Sequence, residues 1–474
     1  MRIKIAVACV VLLLAGCSAN ENPGTNLPDT SPDTDKEIDR SDASGSDAAL
    51  NEDATFDPDV VARTYGFHED IKPIIDARCT SCHFYGGVGP FALTSYAEVA
   101  SIGLLLKASV QARQMPPWLA GKDCAEYKHD VSLTDEQITA ISSWVDQGMP
   151  EGDASNGGSG LPPHGGGLTR VDLTLEMPVT YEPKLKPDEY RCFAVDWPEQ
   201  TTKYVTGFNV IAGNAQIVHH VIAYGIPPSY VAEVDALEAA DGEPGYSCFG
   251  SAGVGDDANF AATERVGWLG SWAPGGKGAD LPPGTGIRVE PGSKVVLQIH
   301  YNVVGSAAQS DRSAIQLKLE DSVEKAAIFM PWANPGWVNN SQPMLLEAGD
   351  SDASHQFGFD IASLVGRPVT IYSASLHMHM LGTKGRLWLD RAGDDDVCLL
   401  DVPRWDFGWQ FGYLFDQPKR MQAGDKLMLK CHWDNSAANQ PMVDGVRREA
   451  QDVVWGDRTT DEMCLGIFLV SFGD

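Results

Sequence analysis

From Leu168 to its C-terminus the chain is a succession of short apolar or alternating runs separated by Gly, Pro, Asn and Asp, among them YVTGFNVI, SKVVLQIHYNVV and KLMLKCHW. Runs of this length bounded by turn residues are typical of β-strands, and many in series indicate β-sandwiches. We therefore predict two all-β, jelly-roll-like sandwiches over residues 168–318 and 319–474, with little helix in either. Helical patterns lie before residue 150, so the chain is predicted to be multidomain, with a small all-α domain first.

The net charge of the chain argues against one class of partner, the nucleic acids. The chain has 474 residues, of which 43% are hydrophobic and 21% are charged, and its formal net charge is -30. A strongly acidic protein is repelled by a nucleic acid backbone. We therefore predict that the protein has no nucleic acid partner.

The N-terminal segment predicts an exported lipoprotein. Residues 1–17 are a signal peptide, with basic residues before a short apolar run that ends in Leu-Ala-Gly-Cys. That end resembles the lipobox of bacterial lipoproteins, in which Cys17 is lipidated; the alternative is ordinary cleavage beside a chance cysteine. Residues 18–60, rich in Asp, Ser and Pro, are predicted to be a disordered acidic tether.

These features predict a location. Ser18 follows the lipidated cysteine, and by the usual bacterial sorting rule this residue directs a lipoprotein to the outer membrane. We expect the protein in a bacterial cell envelope, facing the periplasm, with the lipid anchor as its only membrane contact.

The motif CTSCH at residues 79–83 predicts covalent haem attachment. In c-type cytochromes the two thiols, here Cys79 and Cys82, bond to the haem vinyl groups, and the next histidine, here His83, ligates the iron. A redox-active CxxC pair and half of a zinc site are the alternatives, and neither requires His83. We predict one covalently bound haem c.

The sixth iron ligand is expected downstream of this motif. The segment RQMPPW offers Met115, whose thioether would raise the haem potential and suit electron transfer. Core packing is the alternative role for Met115, and His129 is the fallback ligand.

A small helical domain surrounds the haem motif. An apolar helical pattern runs from Tyr96 to Gln111, and the segment LTDEQITAISSWVDQG begins with a capping box of Thr134 and Gln137. Residues 61–151 resemble the class I cytochrome c fold. The Gly-rich linker at 152–167 predicts that this domain can dock on the part of the chain that follows without being rigidly fused to it.

Six of the eleven histidines lie in or at the ends of predicted strands, an unusual share for this residue type: His219, His220, His300, His377, His379 and His432. In SLHMHMLG the pair His377 and His379 is two residues apart, so both side chains leave a strand by one face and can chelate one ion. Met378 and Met380 are then predicted to point into the core. For a histidine taken alone, a satisfied core position is the alternative.

The adjacent histidines His219 and His220 are a harder case, because neighbours on a regular strand diverge. One metal ion can take both only if the backbone bends, and it then needs a third ligand from elsewhere. His300 in LQIHYN is the natural third. His432 has no partner nearby in the sequence and is predicted to be structural.

Four motifs in this order, VHH, LQIHYN, LHMHMLG and DEMC, resemble those of the copper type II ascorbate-dependent monooxygenases, the group of peptidylglycine α-hydroxylating monooxygenase and dopamine β-hydroxylase. The run from Gly267 to Asn302 also resembles that family. The resemblance covers residues 169–474. It implies two β-sandwich domains that each hold one copper ion and face each other across an open cleft.

The resemblance implies two sets of copper ligands, which are His219, His220 and His300 for the electron-transfer copper, and His377, His379 and Met463 for the oxygen-binding copper. Imidazoles suit copper and a thioether favours Cu(I). Zinc is the competitor for a site of three histidines, but a site with methionine argues against it.

Export makes disulfides permissible for the ten cysteines. The same resemblance implies two bridges, Cys192–Cys248 in the first sandwich and Cys431–Cys464 in the second. It leaves Cys124 and Cys398 without a matched partner, and no bridge is predicted between them.

The resemblance implies an oxidoreductase that hydroxylates a C–H bond of a small-molecule substrate with O₂ and two single electrons. Where the peptide-amidating members bind a peptide carboxylate, this chain has Ser375 and Ile467, so peptidylglycine is not the expected substrate. The fused haem is predicted to pass electrons from an ascorbate-like or protein reductant to the three-histidine copper. Gln298 lies near this electron path. The alternative is a non-catalytic haem and copper electron-transfer or copper-binding lipoprotein.

Overall fold

The computed structural model describes residues 63–85, 89–156, 167–186, 188–248, 250–255, 265–273, 276, 278–303, 309–391, 393–443, 446–456, 458 and 460–473. The predicted signal peptide, Cys17 and the acidic tether lie outside the described residues, as does most of the Gly-rich linker. Arg63–Asp474 forms one unit by its internal contacts. No helix within the described ranges is long and apolar enough to cross a membrane.

The described chain begins with a helical part, which consists of a π-helical turn (Phe67–Ile71), α1 (Lys72–Arg78), α2 (Tyr96–Ser101), α3 (Gly103–Gln111), α4 (Asp135–Asp146) and a 3-10 turn (Ala154–Asn156). The pattern from Tyr96 to Gln111 forms two helices, because the chain breaks at Ile102. Helix α4 begins at the predicted capping box, where Gln137 N–H donates to Thr134 Oγ1 at 3.2 Å. Trp144 is fully buried at the centre of this helical core.

The first sandwich contains β1 (Leu173–Glu176), β2 (Asp188–Asp196), β3 (Lys203–Ile211), β4 (Val218–Ile226), α5 (Val231–Asp241), β5 (Tyr246–Ser247), β6 (Gly267–Trp272), β7 (Ala279–Asp280), β8 (Thr285–Val289), β9 (Lys294–Asn302) and β10 (Ala314–Glu320), with a 3-10 turn (Pro228–Tyr230) before α5. A sheet in the order β5-β2-β9-β4-β6 packs on β1-β10-β3-β8 around a shared apolar core. Strand β10 ends at Glu320, slightly beyond the predicted boundary at residue 318. Helix α5 was not predicted, and it covers the outer side of the five-stranded sheet.

The second sandwich contains β11 (Lys325–Trp332), α6 (Pro335–Val338), β12 (Ala353–Phe359), α7 (Ile361–Val365), β13 (Val369–His377), β14 (Gly382–Asp390), β15 (Val397–Val402), β16 (Tyr413–Met421), β17 (Lys426–Trp433), β18 (Met442–Val443), β19 (Val446–Arg447) and β20 (Leu465–Phe472). Strands β11-β20-β13-β16 pack on β12-β17-β14-β15 around one large core. Two all-β sandwiches therefore follow the helical part, as the alternating runs predict.

One sheet passes from the first sandwich into the second. Strand β8 pairs in parallel with β11, so that Lys325 lies opposite Thr285 and Ala326 opposite Gly286. The result is a continuous path β1-β10-β3-β8-β11-β20-β13-β16. One sheet of each sandwich is thereby joined edge to edge with a sheet of the other by strand pairing.

Three disulfides join the described residues. Cys192–Cys248 and Cys431–Cys464 are the two bridges that the family resemblance implies. The third, Cys124–Cys398, was not predicted, and it connects the helical part to strand β15 of the second sandwich. The helical part is therefore covalently fixed, which differs from the flexible attachment that the Gly-rich linker predicts.

Candidate metal centres

Three histidines of the first sandwich meet where β4 and β9 pair. His220 lies opposite His300, and the register shifts between Val218 and His220. The shift is a β-bulge at His219, and a bulge re-aims the side chain of the extra residue. This is the backbone bend that adjacent histidines require in order to face one ligand.

The ring nitrogens of these histidines converge. Nδ1 of His219 lies 3.3 Å from Nδ1 of His300. One ligand atom from each of His219, His220 and His300 falls within 4.8 Å of the others. Three imidazoles at this spacing can hold one metal ion. The structure therefore brings together the first predicted ligand set, which we call the three-histidine centre.

His300 is oriented by two residues of β2. Its Nε2–H donates to Oδ1 of Asp188 at 2.9 Å, and Asp188 also accepts from Asn302 Nδ2 at 2.9 Å. The ring of Tyr190 stacks on the imidazole with 4.1 Å between centroids. A proton on Nε2 leaves the lone pair of a neutral ring on Nδ1. Nδ1 is therefore the ligating atom of His300.

Burial keeps the imidazoles of His219 and His220 neutral. Desolvation, assisted by the nearby His300, lowers the pKa of His219 to about 4. Desolvation also lowers the pKa of His220, with smaller contributions from the other two histidines and from His377 of the second sandwich. Neutral imidazole is the metal-binding form. His219 and His220 can therefore ligate a metal ion at neutral pH without first losing protons.

The second pair, in SLHMHMLG, lies at the end of a strand rather than within one. Strand β13 ends at His377, yet the rings of His377 and His379 stay on one side with centroids 5.1 Å apart. Met378 is buried in the second core, as predicted, whereas Met380 is 42% exposed. The prediction that Met380 points into the core is wrong, because the chain turns at this residue and leaves the alternation of the strand.

Hydrogen bonds fix the tautomer of both histidines. His377 Nδ1–H donates to Oε1 of Gln410 at 2.5 Å, and His379 Nδ1–H donates to the carbonyl oxygen of Asp461 at 3.0 Å. Each neutral ring therefore has its lone pair on Nε2. Burial lowers the pKa of His377 to about 3 and also lowers the pKa of His379. The two Nε2 atoms are the available ligands.

Met463 reaches this pair through strand pairing. Leu465, the first residue of β20, lies opposite His377, and Met463 precedes it by two positions. Met463 is buried and lines the same cavity as both histidines. The Cys431–Cys464 bridge fixes the adjacent residue. The second predicted ligand set therefore borders one space, and we call it the methionine centre.

Glu462 connects the chain segments around the methionine centre by hydrogen bonds. Its carboxylate accepts the backbone N–H of His379 at 2.9 Å, that of Leu381 at 2.7 Å and the indole N–H of Trp433 at 2.9 Å. Burial raises the pKa of Glu462 to about 7, and the three hydrogen bonds oppose that rise. Sequence analysis missed this residue, although it lies inside the quoted motif DEMC.

Both centres open onto a single cavity of about 1250 Å³. Its walls include the predicted site residues His220, Gln298, His300, His377, His379 and Met463. Gln298 and His300 share one face of β9, while Leu297 and Ile299 face the core. A molecule in this cavity can therefore lie between the two centres.

The two sandwiches match the two domains of one known protein family. The N-terminal domain of the copper type II ascorbate-dependent monooxygenases matches residues 173–307, and the C-terminal domain of the same family matches residues 361–470. Together the matches cover more than half of the chain. The chain belongs to this family. As a copper type II monooxygenase it is an oxidoreductase that depends on copper and uses O₂ and a reductant.

The two matches divide the centres between them. The N-terminal match contains the three-histidine centre, and the C-terminal match contains the methionine centre. The donor sets suit the metal, because imidazoles bind copper in general and a thioether favours Cu(I). The preoriented imidazoles described above therefore fit copper in both domains.

The CTSCH segment lies at the end of α1. The thiols of Cys79 and Cys82 are not in a disulfide, and a turn brings His83 N–H within 3.0 Å of the Cys79 carbonyl oxygen. The His83 Nδ1–H donates to the carbonyl oxygen of Phe91 at 3.1 Å, which leaves Nε2 as the available ligand. Burial raises the pKa of Cys79 to about 12, whereas a redox-active CxxC needs a lowered thiol pKa. These residues fit haem attachment, which stays a prediction.

The remaining site residues lie in the helical part and in the two sandwiches. Met115 is half-buried just beyond α3, and His129 is exposed with φ of 61°. Gln298 is buried, and its Nε2 donates to the carbonyl oxygen of Ser251 at 3.1 Å. His432 is on β17, with Nδ1 3.3 Å from Asp352 Oδ1. The roles of Met115 and Gln298 stay predictions.

The residues that orient the ligands lie outside every motif of the sequence. Asp188 and Tyr190 precede the first motif by many residues, and Gln410 lies in a loop with no metal-binding pattern. Their positions result from strand pairing, since Tyr190 lies opposite His300 in the sheet. No signal in the sequence identifies them.

Proposed function

We propose that this protein is a copper-dependent monooxygenase that inserts one oxygen atom into a C–H bond of a neutral, apolar small molecule. One C–H bond, one O₂, two electrons and two protons would give one alcohol and one water. The observation that carries the proposal is that two hydrogen-bonded ligand sets from different domains border one cavity. Copper bound there supplies one-electron transfer in the first domain and dioxygen chemistry in the second.

Side chains around the two centres support these two different roles. Asp188 and Gln410 hold the ring protons of His300 and His377 away from the ligating nitrogens. Such partners also raise the basicity of a metal-bound imidazole. The thioether of Met463 distinguishes the second centre from the first. A thioether favours Cu(I), the form that binds dioxygen. The family resemblance gives the three-histidine centre the electron-transfer copper.

The cavity wall indicates the substrate class. Aromatic side chains line it from both sandwiches, and the rings of Trp268 and Phe329 lie 6.3 Å apart across the domain boundary. Three exposed apolar residues, Val338, Phe359 and Leu364, also line it. Burial of apolar ligand area against such a wall contributes about 25 cal/mol per Å². The wall therefore favours an apolar substrate.

Charge in the cavity agrees with an apolar substrate. Among the described lining residues, apart from the histidines, the one ionised side chain is Asp280, and it pairs with Lys318 at 2.6 Å. Ser375 and Ile467 lie opposite each other in the sheet and both line the cavity. These are the positions where peptide-amidating relatives bind a carboxylate. A charged substrate would find no unpaired counter-ion among these residues, and an ion left unpaired in an apolar site is costly.

Electrons are proposed to enter through a haem c attached at Cys79 and Cys82, with His83 and Met115 as iron ligands. Support comes from the CTSCH motif and from the orientation of His83 by Phe91. A covalent c-type haem suits an exported protein, and the motif at Cys17 supports a lipid anchor in the bacterial cell envelope. The ultimate reductant belongs to the class of ascorbate-like molecules or small redox proteins.

The experiment is a substrate screen on the copper-loaded full chain with ascorbate and O₂. Each neutral alkylbenzene is compared with a phenylalkylamine and an acylglycine of similar size, and products are identified by mass. We expect a gain of one oxygen atom with the neutral compounds and O₂ uptake that depends on them. Hydroxylation of the acylglycine in preference to the neutral compounds would overturn the proposed substrate class.

The matched variants are Met463→Ala and Met442→Ala, the second on an exposed strand residue of the same sandwich. We expect Met463→Ala to abolish product formation while copper stays bound at the three-histidine centre, and Met442→Ala to behave as the unchanged protein. Product formation by Met463→Ala at the unchanged rate would refute the assigned oxygen centre.

A further inference from the structure

The chain between α3 and α4 leaves the helical core and pairs with the second sandwich. Three backbone hydrogen bonds join the two, from Gly121 N–H to Asp401 O (2.7 Å), from Lys128 N–H to Leu414 O (2.8 Å) and from Asp416 N–H to Glu126 O (3.0 Å). We call residues 113–130 the docking segment. It joins the second sandwich through the main chain, so its position does not depend on side-chain contacts alone.

A disulfide and buried side chains strengthen this attachment. Cys124 bonds to Cys398 across 274 residues of sequence, and the hydroxyl of Tyr127 donates to the carbonyl oxygen of Leu399 at 2.8 Å. Leu119 belongs to the core cluster of the second sandwich. A bridge that closes so long a loop removes much entropy from the unfolded chain. The docking segment is therefore a fixed part of the second sandwich.

Aromatic rings line the contact. Trp118, three residues after Met115, packs edge-on against Tyr413 with 4.9 Å between centroids. Tyr127 lies 5.3 Å from the ring of Tyr413 and stacks on Phe415 at 5.8 Å. The rings of Trp118, Tyr127 and Tyr413 thus form one cluster, and the chain reaches it three residues after the predicted iron ligand.

This cluster connects by a short stretch of chain to the methionine centre. Tyr413 is the first residue of β16, and the loop before it carries Gln410, Phe411 and Gly412, which line the cavity. Oε1 of Gln410 accepts the Nδ1–H of His377 at 2.5 Å. A ring contact from Trp118 to Tyr413, three residues of main chain back to Gln410 and a hydrogen bond to His377 therefore connect the helical part to a ligand of the methionine centre.

We infer that the helical part delivers electrons directly to the methionine centre through Trp118, Tyr413 and Gln410. This inference rests on the proposed function, because it requires haem and copper at the sites named above. Each transfer would take one electron from ferrous haem, leaving ferric haem, and would reduce Cu(II) to Cu(I) with no bond made or broken. An ascorbate-like or protein reductant then reduces the haem again. The sequence instead suggests delivery to the three-histidine centre.

Single-centre variants of the haem- and copper-loaded full chain test this inference. The haem is reduced by a light pulse with a photoreductant under anaerobic conditions, and its reoxidation is followed by absorbance and the loss of Cu(II) by electron paramagnetic resonance. We expect His219→Ala/His220→Ala to keep fast haem reoxidation and His377→Ala/His379→Ala to lose it. The reverse pattern would show entry at the three-histidine centre and overturn the inference.

Variants along the route provide a second test. Trp118→Leu is expected to slow haem reoxidation several-fold with an unchanged haem spectrum and copper content, and Trp118→Phe, which keeps a ring, is expected to restore part of the rate. Trp388→Leu, in β14 of the same sandwich, serves as the matched control and should keep the full rate. Unchanged reoxidation in Trp118→Leu would refute the route.

Failure of this inference can be told apart from failure of the proposed function. Haem content by absorbance, copper content by metal analysis and substrate hydroxylation with ascorbate are measured on each preparation before the light pulse. A protein that hydroxylates substrate but shows haem reoxidation only through the three-histidine centre would keep the proposed function and lose the route. A protein that contains no haem would refute the proposed haem site, and the route with it.

Discussion

Glu462 accepts the backbone N–H of His379 at 2.9 Å, and its neighbour in the chain is Met463. The three partners of its carboxylate are all donors, so an amide in its place would present an N–H to one of them. We expect Glu462→Gln to lower the unfolding free energy by about 1–3 kcal/mol and to weaken copper binding at the methionine centre. Chemical denaturation and copper titration measure the two effects. Glu449→Gln, at an exposed position, is the control. Equal copper affinity in both variants would contradict the role given to Glu462.

Gln410 is the partner of His377 Nδ1. Removal of the acceptor in Gln410→Leu frees the ring to rotate and to change tautomer. We expect copper affinity at the methionine centre to fall about 10–100-fold, with the three-histidine centre unchanged. Competition titration with a copper chelator measures the affinity, and Gln417→Leu, exposed on β16, is the control. A loss confined to the three-histidine centre would disprove the assignment.

Asp188 has the corresponding role for His300. We expect Asp188→Ala to weaken copper at the three-histidine centre about 10–100-fold while the methionine centre keeps its metal. Electron paramagnetic resonance of the Cu(II) form resolves the two. The control is Asp196→Ala on the same strand, whose side chain is 86% exposed and pairs with Lys294. If the two alanine variants bound copper alike, orientation of His300 by Asp188 would be unimportant.

The two disulfides within the sandwiches are expected to differ in their effect on the methionine centre. Loss of either internal bridge is expected to cost about 3–4 kcal/mol, given separations of 33 residues for Cys431–Cys464 and 56 for Cys192–Cys248. Cys431→Ser/Cys464→Ser should also release copper from the methionine centre, because Cys464 anchors Met463. Cys192→Ser/Cys248→Ser should leave that centre loaded. Metal analysis after buffer exchange distinguishes the two, and equal retention would argue against anchoring by Cys464.

We expect the stability of the first sandwich to depend on pH through the ionisation of Asp241. The N–H of Ser247 and the guanidinium of Arg191 hold the pKa of Asp241 below its usual 3.8. A carboxyl with a lowered folded pKa stabilises the protein above its usual pKa, and this contribution is lost as pH falls through the folded value. Asp241→Asn should therefore cost about 1–2 kcal/mol at pH 7 and less below pH 4. Urea unfolding of both proteins at pH 7 and below pH 4 measures this loss of stability. A loss that is larger in acid than at pH 7 would contradict the prediction.

The sequence predicts the architecture well, because alternation reports which face of a strand is buried. The same rule predicts that His377 and His379 share a side, and it fails at Met380 because periodicity does not reveal where a strand ends. The bend at His219 was recognised as a requirement, although the bulge that provides it has no sequence signature.

Contacts between distant segments could not be predicted. Asp188, Gln410 and Glu462 act through hydrogen bonds to residues that are brought near by strand pairing. The Cys124–Cys398 bridge joins two parts of the chain that were treated as separate domains, and cysteine spacing alone does not give connectivity. These features depend on which distant residues meet in the folded chain, and this cannot be inferred from a single sequence.

The main-chain pairing of β8 with β11 has a mechanical consequence for turnover. Because the sandwiches share a sheet, widening the gap between the two centres would break backbone hydrogen bonds at Thr285 and Lys325. The protein therefore lacks a free hinge at this seam, and any relative motion is a twist of the sheet. We therefore expect the two sandwiches to stay paired along this seam while substrate enters and product leaves the cavity between the two centres.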